Sequence, residues 1–143
     1  MVTKLNTDNF EEQVSTQKKA FVIKFFSPTC GPCHTMKPVI DKLQEQNQDV
    51  SIFEIDSSES PELAAHFGVR GVPSILICEG REVLYQFTGV TPFRDIQYVL
   101  DNLDDVHFRS TGVFKVSEKK QDLFFPAIAL GLLLFFIILF IVG

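Results

Sequence analysis

The sequence predicts a two-layer or three-layer α/β domain over residues 1–104, with parallel strands joined by helices and then a hairpin. A tether over 105–122 and a single transmembrane helix over 123–142 are predicted to follow. Three observations carry this. Short apolar runs rich in β-branched and aromatic residues alternate with stretches of helical periodicity. The last two apolar runs are separated by Glu79-Gly80-Arg81, a turn, so a hairpin is expected at one edge of the sheet. From Leu123 to Gly143 there is no charged residue.

The elements follow in order. Met1–Asp8 holds one lysine and no apolar run long enough for a secretory signal. Asp8 with Glu11 three residues later is a helix-start pattern, and Phe10 and Val14 then share one face. Ala20–Phe26 (AFVIKFF) is short, apolar but for Lys24, and stopped by Ser27-Pro28, so it reads as a buried strand. After Cys30-Gly31-Pro32-Cys33, the residues Met36, Val39, Ile40 and Leu43 recur at helical spacing. That helix is expected to run to about Gln46 and to bend at Pro38. Val50–Ile55 (VSIFEI) is a second strand. Ser60-Pro61 places a capping residue before a proline at the first helical position, and Gly68 is suited to end that helix. Ser74–Cys78 and Val83–Phe87 form the hairpin. Thr91-Pro92 opens a last helix with Ile96, Val99, Leu100 and Leu103 on one face. The predicted order is αβαβαββα.

Leu123–Val142 (LFFPAIALGLLLFFIILFIV) is apolar on every face. A helix of this length spans about 30 Å, the thickness of a hydrocarbon core. Arg109, Lys115, Lys119 and Lys120 precede it and Gly143 alone follows, so the positive-inside rule leaves the preceding domain in the cytoplasm. The formal net charge of −5 lies wholly in residues 1–122 and includes no long basic run, which argues against a nucleic-acid partner. Three cysteines, Cys30, Cys33 and Cys78, are too few for a disulfide-dense secreted scaffold. One CxxC supplies two of the four ligands of a zinc site, so no metal or other cofactor is predicted.

Cys30-Gly31-Pro32-Cys33 stands between a buried strand and a helix, Pro38 in that helix, Gly71-Val72-Pro73-Ser74 before the hairpin, Gly80 in its turn and Gly89 after it. On these residues, 5–104 resemble the thioredoxin family. The resemblance implies a thioredoxin fold, a central mixed sheet flanked by helices, with reduction of protein disulfides and electrons from a thioredoxin reductase. It also implies that Pro73 follows a cis peptide bond and that the backbone of Val72 pairs with substrate in strand addition.

The chemistry of the pair fits that resemblance. Cys30 would stand at the start of the helix, where unpaired N–H groups favour a thiolate, and is the expected nucleophile. Cys33, one turn on, would resolve the mixed disulfide. Gly31 would let the backbone turn tightly, and Pro32 fixes φ without needing an N–H bond. Cys78, in an apolar strand, reads as an inert core thiol. His34 reads as a solvent-facing helix residue, and His66 and His107 have no ligand pattern around them.

Two departures from the family pattern bear on the site. Thr29 stands where the family usually has Trp. Lys24 stands where it often has a buried Asp. Lys24 could act as a neutral base towards Cys33, stay cationic and stabilise thiolate, or cover apolar surface with its stem while its amine reaches water. The function expected is a membrane-tethered protein-disulfide reductase. The alternatives are a redox-switched adaptor that binds a membrane partner, and a thiol oxidase or isomerase on the oxidising side of the membrane.

Overall fold

A computed structural model describes residues 2–111 of the chain. The rest of the expected tether and the apolar segment 123–142 lie outside the described residues. Among the described residues no helix is long and apolar enough to cross a membrane.

The elements run β1 (Thr3–Leu5), α1 (Phe10–Ser15), β2 (Phe21–Phe26), α2 (Gly31–Thr35), α3 (Lys37–Gln46), β3 (Ile52–Asp56) and α4 (Pro61–His66). Then come β4 (Ser74–Glu79), β5 (Glu82–Thr88), α5 (Phe93–Asp101) and α6 (Val106–Thr111). The five strands form one sheet in the order β1-β3-β2-β4-β5. β1, β3 and β2 are mutually parallel, and β4 and β5 are antiparallel to β2 and to each other.

β2 lies at the centre of the sheet and sets the two faces. Side chains alternate along a strand, so Phe21, Ile23 and Phe25 go to one face with Phe10 and Val14 of α1 and Leu63 of α4. Val22 goes to the other, with Met36, Ile40 and Leu43 of the α2–α3 region and Ile96 and Val99 of α5. The result is helices on both faces of a mixed sheet, a three-layer thioredoxin fold.

Four features differ from the sequence reading. β1 was not anticipated; its three residues carry a central lysine and gain strand geometry only by pairing with Phe53–Ile55. The start of α1 is not capped by Asp8. Instead Asn6 and Asn9 close the turn that leads into it, each side-chain carbonyl accepting from the other's backbone N–H at 2.9 and 3.1 Å. The helix after the cysteines is broken at Met36 rather than bent, with Pro38 in the first turn of the second piece, where its missing N–H leaves no gap. Finally, packed chain continues past residue 104: α6 buries Phe108 against the α5 side of the core, and Arg109 binds Glu79 at 2.9 Å.

Among the described residues three glycines, Gly68, Gly80 and Gly89, have conformations that an L side chain strains to adopt, and the first two end or turn an element. Gly68 (φ 64°) ends α4, its N–H bonding to the carbonyl of Ala65 and that of Val69 to Ala64, the paired bonds of a Schellman cap. Gly80 (φ 59°) makes the β4–β5 turn.

Candidate active site

The local sequence around the cysteines builds a turn and then a helix. The N–H of Cys30 donates to the carbonyl of Ser27 at 3.1 Å, closing a turn with Pro28 at its second position. Cys30 is extended (φ −86°, ψ 105°) and is the N-cap of α2. A cysteine at this position takes the place of the usual Ser or Asp cap: Cys33 N–H points at Cys30 Sγ at 3.2 Å. The two sulfurs are joined in a disulfide with a Cα–Cα distance of 5.3 Å.

The pair is asymmetric. Cys30 is partly exposed, whereas Cys33 is 4% exposed. Gly31 and Pro32 are exposed beside them. Gly31 does not have a left-handed φ, and a Cβ there would meet nothing within 4 Å. The tight turn expected of it is made instead by Ser27–Cys30, and Gly31 leaves bare backbone next to the sulfurs.

The loop before β4 faces the dithiol. The Val72 carbonyl oxygen is 3.6 Å from Cys30 Sγ, and the Val72–Pro73 peptide bond is cis. Pro73 is buried, and the loop is held at both ends. Ser74 Oγ donates to the Gly71 carbonyl at 2.7 Å, and Gly89 N–H donates to the Pro73 carbonyl at 2.8 Å. Two residues beyond Gly89, the N–H of Thr91 donates to Met36 Sδ at 3.3 Å, tying the loop after β5 to the break between α2 and α3. Val90 lies between these two anchors and is 52% exposed. With Thr29, Pro32 and Val72 it gives the rim of the site a small, mostly apolar character. Val90 and the Met36–Thr91 bond were not legible in the sequence.

Lys24 shares the sheet face of Val22 and hence of the helix region that carries Cys33. It is buried, and its Nζ is 2.8 Å from Glu54 Oε1 on β3 and 5.3 Å from the Phe26 ring centroid. Its amine therefore ends on a carboxylate rather than in open water. Glu54 was not singled out from sequence. Its signal was the parallel register of β2 and β3, which sets Lys24 directly opposite it.

The remaining candidates lie apart. Cys78 is the free thiol; burial pushes its pKa up to about 12, so it is neither nucleophile nor ligand at neutral pH. His34 is exposed on α2, and His66 is on α4. Nothing is described of the His107 side chain. Among the described residues no group of three or more His, Cys, Asp or Glu could hold a metal ion.

Comparison with known proteins agrees with this geometry. Residues 1–102 match the family model described as thioredoxin. A thioredoxin of Chlorobaculum thiosulfatiphilum is 31% identical over 94 residues, which are 65% of this chain and 87% of that protein. In that relative the domain is therefore almost the whole molecule. The NADPH-dependent thioredoxin reductase 3 of Arabidopsis thaliana is 38% identical over 73 residues, 50% of this chain and 14% of that protein. The crystal structure of a thioredoxin from Nicotiana alata superposes with a TM-score of 0.64 at 24% identity, covering 70% of this chain and 90% of that one.

Proposed function

Because the chain belongs to the thioredoxin family and is a thiol–disulfide oxidoreductase, we propose that it is a protein-disulfide reductase tethered to a membrane by residues 123–142, with its dithiol domain in the cytoplasm. The observation that carries the reductase reading is the asymmetry of the pair. Cys30 is open to a substrate and faces the Val72 backbone, while Cys33 is shielded behind it.

The reaction follows from that arrangement. In the reduced protein the thiolate of Cys30 attacks one sulfur of a substrate disulfide. The Cys30–substrate bond forms, the substrate S–S bond breaks, and the departing sulfur takes a proton from solvent. The Cys33 N–H that points at Cys30 Sγ, together with the start of α2, favours negative charge there. Cys33 then loses its proton and attacks Cys30 Sγ. The mixed disulfide breaks, the second substrate thiol leaves, and Cys30–Cys33 closes. Two electrons have passed from the dithiol to the substrate. A thioredoxin reductase returns them, as the family and the reductase relative suggest. Val72 offers its backbone beside Cys30 to an extended substrate segment, and Pro73, having no N–H, presents no donor to the sulfurs.

Lys24 enters this reading as a charged residue neutralised by Glu54, on the sheet face of the active-site helix. The carboxylate 2.8 Å from the amine limits its pull on the sulfurs. Membrane tethering rests on the apolar, uncharged run of 123–142 and its basic flank. The course of α6 is compatible with it. Arg109 binds Glu79 at one end of β4, while Ser74 and the dithiol loop are at the other, about 17 Å away at the rise of a strand. A tether leaving Thr111 would therefore start far from the dithiol and leave it facing outward.

The reductase reading is tested by insulin reduction with NADPH and a thioredoxin reductase. Turnover is expected with the native chain and none with Cys30→Ser. Cys33→Ser should accumulate a mixed disulfide at Cys30, and failure to trap any substrate there would overturn the assignment. The tether is tested separately: deleting residues 112–143 should move the protein from the membrane fraction to the soluble one.

A further inference from the structure

Among the described residues, a cavity of about 440 Å³ opens at the end of the sheet opposite the dithiol. Its position follows from register. It is lined by Phe21 at the start of β2 and by Cys78 near the end of β4, which pair with each other, whereas Phe25 and Ser74 pair at the dithiol end. Its walls mix apolar side chains, Phe10 and Val14 of α1, Phe21, Phe67 and Cys78, with the polar Ser15 and Gln17. Its rim carries Arg81 on the β4–β5 turn, Glu11 on α1 and His66 on α4. The volume is at the small end of the roughly 300–1,000 Å³ of small-molecule sites, which combine apolar walls with a few placed polar groups.

We propose that this cavity is a binding site for a single-chain carboxylate, its hydrocarbon part held among Phe10, Val14, Phe21 and Phe67 and its head group at Arg81. Charge selects the head group. Arg81 is 82% exposed by its side chain and pairs with Glu11 at 2.9 Å, and Glu11 is itself 70% exposed. A pair so open is weakly held, and a ligand carboxylate takes the place of Glu11 on the guanidinium while Glu11 returns to water. The planar fork of arginine suits a carboxylate in two-point contact. His66 at the same rim adds a second donor. A cationic head would have to use Glu11 in the presence of Arg81, and an uncharged one would use neither. The site shares no residue with the dithiol, so it stands or falls independently of the reductase reading.

The test uses residues 1–111 in the oxidised form, which keep the whole sheet and both layers of helices; the matched domain makes up 87% of the Chlorobaculum relative. Sodium decanoate, kept below its micellar concentration, is titrated in a two-dimensional amide NMR experiment. Saturable shifts are expected at Val14, Cys78 and Arg81, with none at Cys30 or Val72. Arg81→Gln, an exposed change, should weaken decanoate at least fivefold and leave decanol unaffected. Val14→Phe, which fills the cavity, should abolish binding. Absence of saturation, shifts confined to the dithiol end, or equal binding of decylamine and decanoate would overturn the proposal.

Discussion

Breaking the Lys24–Glu54 pair from its two sides should give unequal results. Lys24 is 5% exposed and its ammonium is 2.8 Å from Glu54, whose side chain is 30% exposed. Glu54→Gln keeps the shape but leaves the ammonium buried with an amide in place of its carboxylate. Stranding one member of a fully buried pair costs about 3–5 kcal/mol; because Glu54 is partly open to water, about 2–3 kcal/mol is expected here. Lys24→Met removes the buried charge and keeps the stem that packs near Phe26, while Glu54 can turn to solvent. That change should cost less than about 1 kcal/mol. The double variant Lys24→Met/Glu54→Gln should recover most of the loss of Glu54→Gln alone. Urea unfolding of oxidised residues 1–111 with unchanged m values reads all three. In heat the Glu54→Gln variant should melt roughly 10 °C lower. If Lys24→Met were as destabilising as Glu54→Gln, or if the double variant were no better than Glu54→Gln, the pair would not be held as a buried charge needing its partner.

Three further outcomes follow from the geometry. Phe25→Ala, at a side chain with no exposure in the centre of the sheet, should cost about 3–5 kcal/mol in the same urea assay. Asp56 is buried, which opposes its ionisation, yet the hydroxyl and N–H of Ser58 and the N–H of Glu59 outweigh this and hold its carboxyl below the ordinary range. Its folded pKa is therefore the lower one, and the stability it contributes is present above the unfolded value of about 3.9 and lost as pH falls through the folded value. Asp56→Asn should cost about 1–3 kcal/mol at pH 7 and make acid unfolding less steep below about pH 4. Cys78 should react with N-ethylmaleimide at pH 7.5 more than about 100-fold more slowly than in urea-unfolded protein, given its burial and a pKa of about 12.

The parts of the fold that depend on neighbours in sequence were legible from it, and the parts that depend on pairing across the sheet were not. The hairpin, the helix after Ser60 and the position of Cys30 at a helix start are set within a few residues by Gly80, Pro61 and Pro28. β1 exists only because β3 lies beside it, and three residues carry no periodicity of their own. α6 escaped notice because among its apolar residues Phe108 is buried while Val106 is 83% exposed, which gives no stripe. Within the site, the cysteines and Pro73 stood out by spacing. Glu54 could be joined to Lys24 only once the register of β2 on β3 was known, and Val90 gains its place at the rim from bonds made by Gly89 and Thr91 to residues far away in the chain.

The central claim, a dithiol poised to reduce, is tested most directly by the reduction potential of Cys30–Cys33 in residues 1–111, measured by equilibration with glutathione buffers. With Lys24 neutralised by Glu54 and Cys33 shielded, a value near about −270 mV is predicted, the range of reducing thioredoxins. A value between roughly −180 and −120 mV, the range of isomerases and oxidants, would contradict it and turn the direction of electron flow around.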